Sequence, residues 1–265
     1  MNALIRFLSG VEPRPAPGGK FRREGCLCIA VPDAALPPDF PVMEKTEHPV
    51  KDSRSVAAFR SGDGRFFVKI YKFRKLVHAL KYAFRTPRAF RCFAAAGRLR
   101  NNGFATPEAV AAAVRYRFGV PTRQILLTAA LPEDTVFLDR ELAAAEPDAA
   151  LAILRELAAF AARLHQAGLL HGDLSLRNIY RVPGDKKFGL IDLDGLLIAR
   201  MPLRRTAAVN ELARILASAF RVSANLRDRD ACVREVLKSY RDAGGMELRP
   251  EELAPVIRRL ERHVR

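Results

Sequence analysis

The chain has 265 residues, 49% of them hydrophobic, and 45 Lys and Arg against 29 Asp and Glu give a net charge of +16. That is enough apolar sequence for a substantial core in one domain or two, while no apolar run approaches the roughly 20 residues that span a bilayer. The start, Met1 to Gly10, is too short and interrupted for a secretory signal, so a cytoplasmic protein, soluble or peripheral on the cytoplasmic face of a membrane, is expected, with phosphates, an acidic membrane surface or nucleic acid as anionic partners.

Residues 1–50 carry eight prolines and are expected to form an irregular N-terminal extension with one strand, Cys26–Val31. Cys26 and Cys28 alternate within it and face one side. No His/Cys pair completes a zinc site, so these thiols, with Cys92 and Cys232, read as reduced and packed in or near a core. A small β-rich domain is expected over 51–130. It opens with a hairpin: strand Ser55–Phe59, turn Ser61–Gly64, strand Arg65–Tyr71, with Lys69 in the second strand.

From Phe73 the apolar period changes. Phe73, Leu76, Val77, Leu80 and Phe84 share one face of a helix, with Arg74, Lys75, His78, Lys81 and Arg85 around the rest. Thr86-Pro87 interrupts it, and Pro87 suits the first turn of a second helix ending near Asn101-Asn-Gly103. Strands are predicted at Ala109–Val114 and Gln124–Ala129, then a hinge near Thr128–Leu131. The remainder, 131–265, reads as mainly helical. A helix opens at Pro147, carries Leu151, Leu154, Ala158, Ala161 and His165 on one stripe, and stops at Gly168. Ile179–Val182 and Phe188–Asp192 form a second hairpin. Two or three helices finish the chain, the last starting at Pro250 with Leu253, Val256, Ile257, Leu260 and Val264 on one side.

The chemistry is concentrated in His171-Gly-Asp-Leu-Ser-Leu-Arg-Asn178 and Ile191-Asp-Leu-Asp194. A carboxylate is followed by an amide five residues later and by a second carboxylate nineteen residues after the first. Phosphoryl transfer from ATP needs these groups: Asp173 to accept the proton of an attacking hydroxyl, Asn178 and Asp192 to hold magnesium against the phosphates. A capping aspartate in a tight turn would not require the other two at these intervals. His171 reads as a loop support bonded to backbone. Asp194 is either a metal ligand, an acid behind the ligands, or a turn residue.

A β-rich domain with a strand lysine, a hinge, then a helical domain with acid-bearing loops resembles the α+β, bilobal protein-kinase-like fold. Phe67-Val-Lys-Ile-Tyr, Gly103-Phe-Ala-Thr-Pro-Glu, the His171–Asn178 run and Ile191-Asp-Leu-Asp-Gly are similar to the lipopolysaccharide core kinases that act on heptose and 3-deoxy-manno-octulosonic acid (Kdo), over about residues 50–220. The resemblance implies an ATP- and magnesium-dependent sugar kinase with Asp173 as base. Lys69 would lie on the α- and β-phosphates, with Asn178 and Asp192 at the metal. Backbone amides and the Ser53 or Ser55 hydroxyls would cover the phosphates where kinases carry a glycine-rich loop. Kinases also pair the strand lysine with a helix glutamate; here no acid occurs between Asp63 and Glu108. Gly172 stands where many regulated protein kinases have arginine, and no Ala-Pro-Glu follows Asp192, which argues against a protein substrate.

Residues 65–107 hold eleven Lys and Arg and no acid. An anionic glycolipid acceptor, lipid A with its core sugars, fits that charge. Helix 73–85 is either interfacial on an anionic membrane or packed with a solvated basic face. Two rivals remain. A phosphotransferase of the aminoglycoside or choline type shares the motifs but needs an acidic pocket for a cationic acceptor. A pseudokinase-like binding protein would explain the missing helix glutamate. Nucleic acid explains the charge but not the spaced acids, and the oligomeric state is unknown from sequence.

Overall fold

A computed structural model describes residues 19–43, 51–52, 56–61, 65–72, 86–182, 184–185, 187–198 and 203–262. Ser53, Ser55, most of the 61–64 turn, the basic helix expected over 73–85 and Val264 lie outside them. The chain divides into two compact units, residues 1–101 with 106–132, and residues 102–105 with 133–265.

The first unit is built on one seven-stranded antiparallel sheet. Its strands are β1 (Gly19–Arg23), β2 (Cys26–Ala30), β3 (Lys51–Asp52), β4 (Val56–Ser61), β5 (Phe66–Lys72), β6 (Ala109–Arg117) and β7 (Val120–Ala129). Their spatial order is β1-β2-β6-β7-β5-β4-β3. The N-terminal segment, expected to hold one strand in an extension, supplies two that pair onto the sheet through β6. The physical reason is burial: Cys26, Cys28 and Ala30 place one face of β2 in the core with Phe40, Met43, Val68, Ile70, Ala111, Ala113, Ile125 and Leu127. All four cysteines are free and buried. Helix α1 (Arg88–Asn101) covers the opposite face, burying Ala89, Cys92, Phe93, Ala96 and Leu99. Gln124 Oε1 accepts from the Ala89 N–H at 3.0 Å, satisfying one of the open donors at the start of α1.

Among the described residues, the second unit contains five α-helices: α2 (Leu138–Ala144), α3 (Pro147–Gln166), α4 (Arg205–Val222), α5 (Arg229–Asp242) and α6 (Pro250–Arg262). Helix α3 starts with Pro147 in its first turn and ends before Gly168 at φ +69°, as its punctuation predicts. Its buried face is wider than the expected stripe, taking in Ile153, Leu157, Phe160 and Leu164, while Leu151 is left half-buried. Helices on several sides of α3 cause this. Phe160 stacks edge-on against Phe104 and Phe188, with centroids 5.8 and 5.6 Å apart. Two short ribbons complete the unit: β8 (Leu169–Leu170) with β11 (Leu197–Ile198), and β9 (Ile179–Arg181) with β10 (Phe188–Leu190). Among the described residues, no helix is long and apolar enough to cross a membrane.

Candidate active site

The two ribbons hold two segments at both ends. Residues 171–178 run from β8 to β9, and residues 191–196 run from β10 to β11. Where they meet, the Ile191 N–H donates to the Asn178 carbonyl at 2.9 Å and the Ile191 carbonyl receives His171 Nε2 at 2.9 Å. The Asp173 N–H lies 3.3 Å from His171 Nδ1, so Nε2 is the donor and Nδ1 the acceptor. His171 is buried and bridges the two segments. Asp173, Asn178 and Asp192 are thereby brought into one neighbourhood.

Glycines permit this approach. Gly172 has φ +82°, and a Cβ there would sit 2.5 Å from the Gly195 carbonyl oxygen. A Cβ on Gly195 would in turn meet the His171 carbonyl oxygen at 3.1 Å. Asp192 takes φ +57°, ψ +59° at the bend between β10 and the 3₁₀ turn Leu193–Gly195. Left-handed backbone costs an L-residue about 1–2 kcal/mol, least for Asp and Asn.

Asp173 is about one-third exposed and is held by three side chains. Arg214 Nη1 reaches its Oδ1 at 3.2 Å, while Arg177 Nη2 and Asn178 Nδ2 reach Oδ2 at 3.3 and 3.1 Å. Asn178 Nδ2 also donates to the Asp173 carbonyl at 2.9 Å and approaches Ser175 Oγ at 3.3 Å. Every hydrogen bond of that amide among the described residues passes through Nδ2, which leaves Oδ1 to serve a cation. The Leu176 N–H donates to Ser218 Oγ at 3.2 Å, anchoring the turn between the two residues to α4.

Behind Asp173 lies a buried polar chain that sequence reasoning missed. Glu211 of α4 accepts the Gly172 N–H through Oε1 and meets His165 Nε2 at 3.1 Å through Oε2. His165 Nδ1 meets the Tyr240 hydroxyl at 2.8 Å. With Glu211 accepting, Nε2 donates and Nδ1 takes the hydroxyl proton. Burial pushes the Tyr240 phenol up to about 12, so it remains a donor at neutral pH. A signal existed: Glu211 is an acid on the face of α4 that otherwise buries Ala208, Leu212 and Ile215.

A magnesium site made of Asn178 Oδ1 and the Asp192 carboxylate matches the donor set. Both are hard oxygens, and magnesium keeps several waters and takes phosphate oxygens rather than an all-protein cage. Asp194, half-buried in the 3₁₀ turn, is the nearest further carboxylate in sequence.

In the first unit, Lys69 lies on the α1 side of β5, opposite Leu126 of β7. Its Nζ is 5.5 Å from the Tyr71 ring centroid, and the Arg88 guanidinium is 4.9 Å from the same ring. The first turn of α1 contains no acid.

Among solved structures, the chain is similar to WaaP in complex with acyl carrier protein, at 21% identity and TM-score 0.53, over 83% of this chain and 88% of that one. A glucosamine kinase bound to glucosamine, ADP and inorganic phosphate aligns at 13% identity and TM-score 0.42, over 85% and 90% of the two chains. No curated protein sequence matches. The WaaP likeness shows the α+β protein-kinase-like fold. Residues 48–240 match the lipopolysaccharide kinase (Kdo/WaaP) family. That match takes in Lys69, Asp173, Asn178, Asp192 and the Glu211–His165–Tyr240 chain alike. This sequence therefore belongs to the lipopolysaccharide kinase (Kdo/WaaP) family and is a phosphotransferase, a sugar kinase of the lipopolysaccharide core.

Proposed function

We propose that the protein transfers the γ-phosphoryl group of ATP, with magnesium, to a heptose or Kdo hydroxyl in the inner core of lipopolysaccharide. The observation that carries this reading is the seating of Asp173: one amide and two guanidinium groups fix its carboxylate beside the only unoccupied oxygen of Asn178 among the described residues. Asp173 orients the attacking hydroxyl and accepts its proton late, because a sugar hydroxyl is a weak acid. Asn178 Oδ1 and Asp192 hold the metal, which neutralises charge on the transferring phosphate. Lys69 binds the α- and β-phosphates, and Ser53 or Ser55 with nearby amides covers them.

Arg177 and Arg214 favour an anionic acceptor such as a lipid A–core glycolipid at an anionic membrane surface on the cytoplasmic side. Two guanidinium groups beside the base repel the cationic acceptors of an aminoglycoside- or choline-type enzyme. The test is purified protein with ATP, magnesium and deacylated core oligosaccharide, the phosphate being located by mass spectrometry. Asp173→Asn is expected to lower kcat by about 10²–10⁴-fold with an unchanged melting temperature. Turnover by that variant at the wild-type rate removes Asp173 from the mechanism, and absence of transfer by the wild type refutes the acceptor class.

A further inference from the structure

We propose that the adjoining hairpin tips of the seven-stranded sheet dock on an anionic lipid bilayer, with Phe118 as the inserted side chain. The proposal gives a place to the membrane-surface reading above and rests on it for its purpose. The β1–β2 turn is Glu24-Gly25, between paired Arg23 and Cys26; the β6–β7 turn is Phe118-Gly119, between paired Arg117 and Val120. The tips are neighbours: Cys26 pairs with Arg115, and Arg115 Nη2 donates to the Glu24 carbonyl at 3.3 Å.

Both turns have positive φ at both central residues, 48° and 70° in one, 51° and 76° in the other. Two-residue turns of this kind favour Asn, Asp or Gly at the first central position, and a bulky side chain there is strained. Glu24 occupies the equivalent position of the other turn at φ 48°. Phe118 is not explained by folding, because its ring is 92% exposed and packs into no core. Its contact is with a cation: the Arg117 guanidinium lies 5.5 Å from the ring centroid. Tyr116, two residues earlier, is 39% exposed.

The charge around the ring has one sign in excess. Arg22, Arg23, Arg115 and Arg117 stand on the two hairpins against Glu24 alone. A convex tip with one projecting ring offers a rigid partner far less than the roughly 800 Å² per side of a stable protein interface. A bilayer surface deforms around such a tip, takes an aromatic ring at the headgroup boundary, and attracts arginines to its phosphates.

The chain contains no Trp, so Phe118→Trp gives a single indole at the tip. On mixing with phosphatidylcholine vesicles containing phosphatidylglycerol, its emission is expected to shift to the blue and to be quenched by brominated lipid. Vesicles of phosphatidylcholine alone and high salt should abolish both effects. Phe118→Asn restores a favoured turn residue, so its melting temperature should equal or exceed that of the wild type while vesicle affinity falls by about tenfold or more. Arg117→Gln should weaken binding by about fivefold. Unchanged indole emission, or Phe118→Asn binding vesicles as the wild type does, overturns the proposal. So does occupation of the tip by an acidic protein in a chain that ignores vesicles. Vesicle binding by a protein that phosphorylates no core oligosaccharide supports the docking surface and counts against the proposed acceptor alone.

Discussion

Replacing Gly172 by alanine separates conformational strain from steric conflict at the site. The residue has φ +82°, so any Cβ costs about 1–2 kcal/mol in backbone energy. The added carbon lies 2.5, 3.0 and 3.2 Å from the oxygen, carbon and Cα of Gly195, all backbone atoms that no rotamer change can move aside. Reaching the 3.4 Å of ordinary contact requires the two segments to part by about 0.9 Å. A misplacement of that order costs roughly 100-fold in rate. We expect Gly172→Ala to lose about 2–4 kcal/mol, a fall of about 4–16 °C in melting temperature at this chain length, and about 100-fold in kcat. Gly25→Ala is the control, because its φ is +70° and nothing lies within 4 Å of the added carbon. Thermal melts and steady-state phosphorylation of core oligosaccharide give both readouts. If Gly172→Ala melts with Gly25→Ala and turns over within about threefold of the wild type, the close packing of the two segments does not set the site.

Glu211→Gln places an amide N–H against His165 Nε2 or against the Gly172 N–H, donor facing donor. About 1–3 kcal/mol should be lost, and kcat should fall while the KM for ATP stays near the wild-type value; a variant as stable and as active as the wild type would show that the buried chain does not position Asp173. At the start of α6, hydrogen bonds from the Arg205 guanidinium and the Arg249 N–H hold the Glu252 carboxyl down at about 2, against an ordinary 4.5. A lowered carboxyl stabilises the fold above pH 4.5, and the contribution disappears as pH falls through about 2. Melting curves should therefore show Glu252→Gln less stable than the wild type at neutral pH and indistinguishable from it near pH 2; a gap that persists in acid would exclude this ion pair as its source.

Candidate site residues that follow one another at fixed local spacing could be picked out from the sequence. Asp173 and Asn178 share one turn, and Asp192 follows a short apolar strand, so their pattern survives without knowledge of the fold. The same holds for β5, where alternation places Val68 and Ile70 on the core side. Strand β1 was not legible, because Gly-Lys-Phe-Arg-Arg at the sheet edge buries almost nothing. Helix α2 was missed for a related reason: seven residues, of which Leu138 and Leu142 alone are buried, carry too short a period. Glu211, His165 and Tyr240 come from three helices and meet only through tertiary packing, so no local spacing announces them. Arg214 is hidden likewise, being separated from Asp173 by 41 positions.

Helix α5 supplies no group that reacts, yet its Tyr240 ends the line of contacts that reaches the peptide nitrogen next to Asp173. A chain cut after α4 would keep every acid, amide and lysine of the chemistry while stripping His165 of its hydroxyl donor. A shortened chain must therefore carry Tyr240 along or supply a substitute anchor if that line of contacts is to be kept.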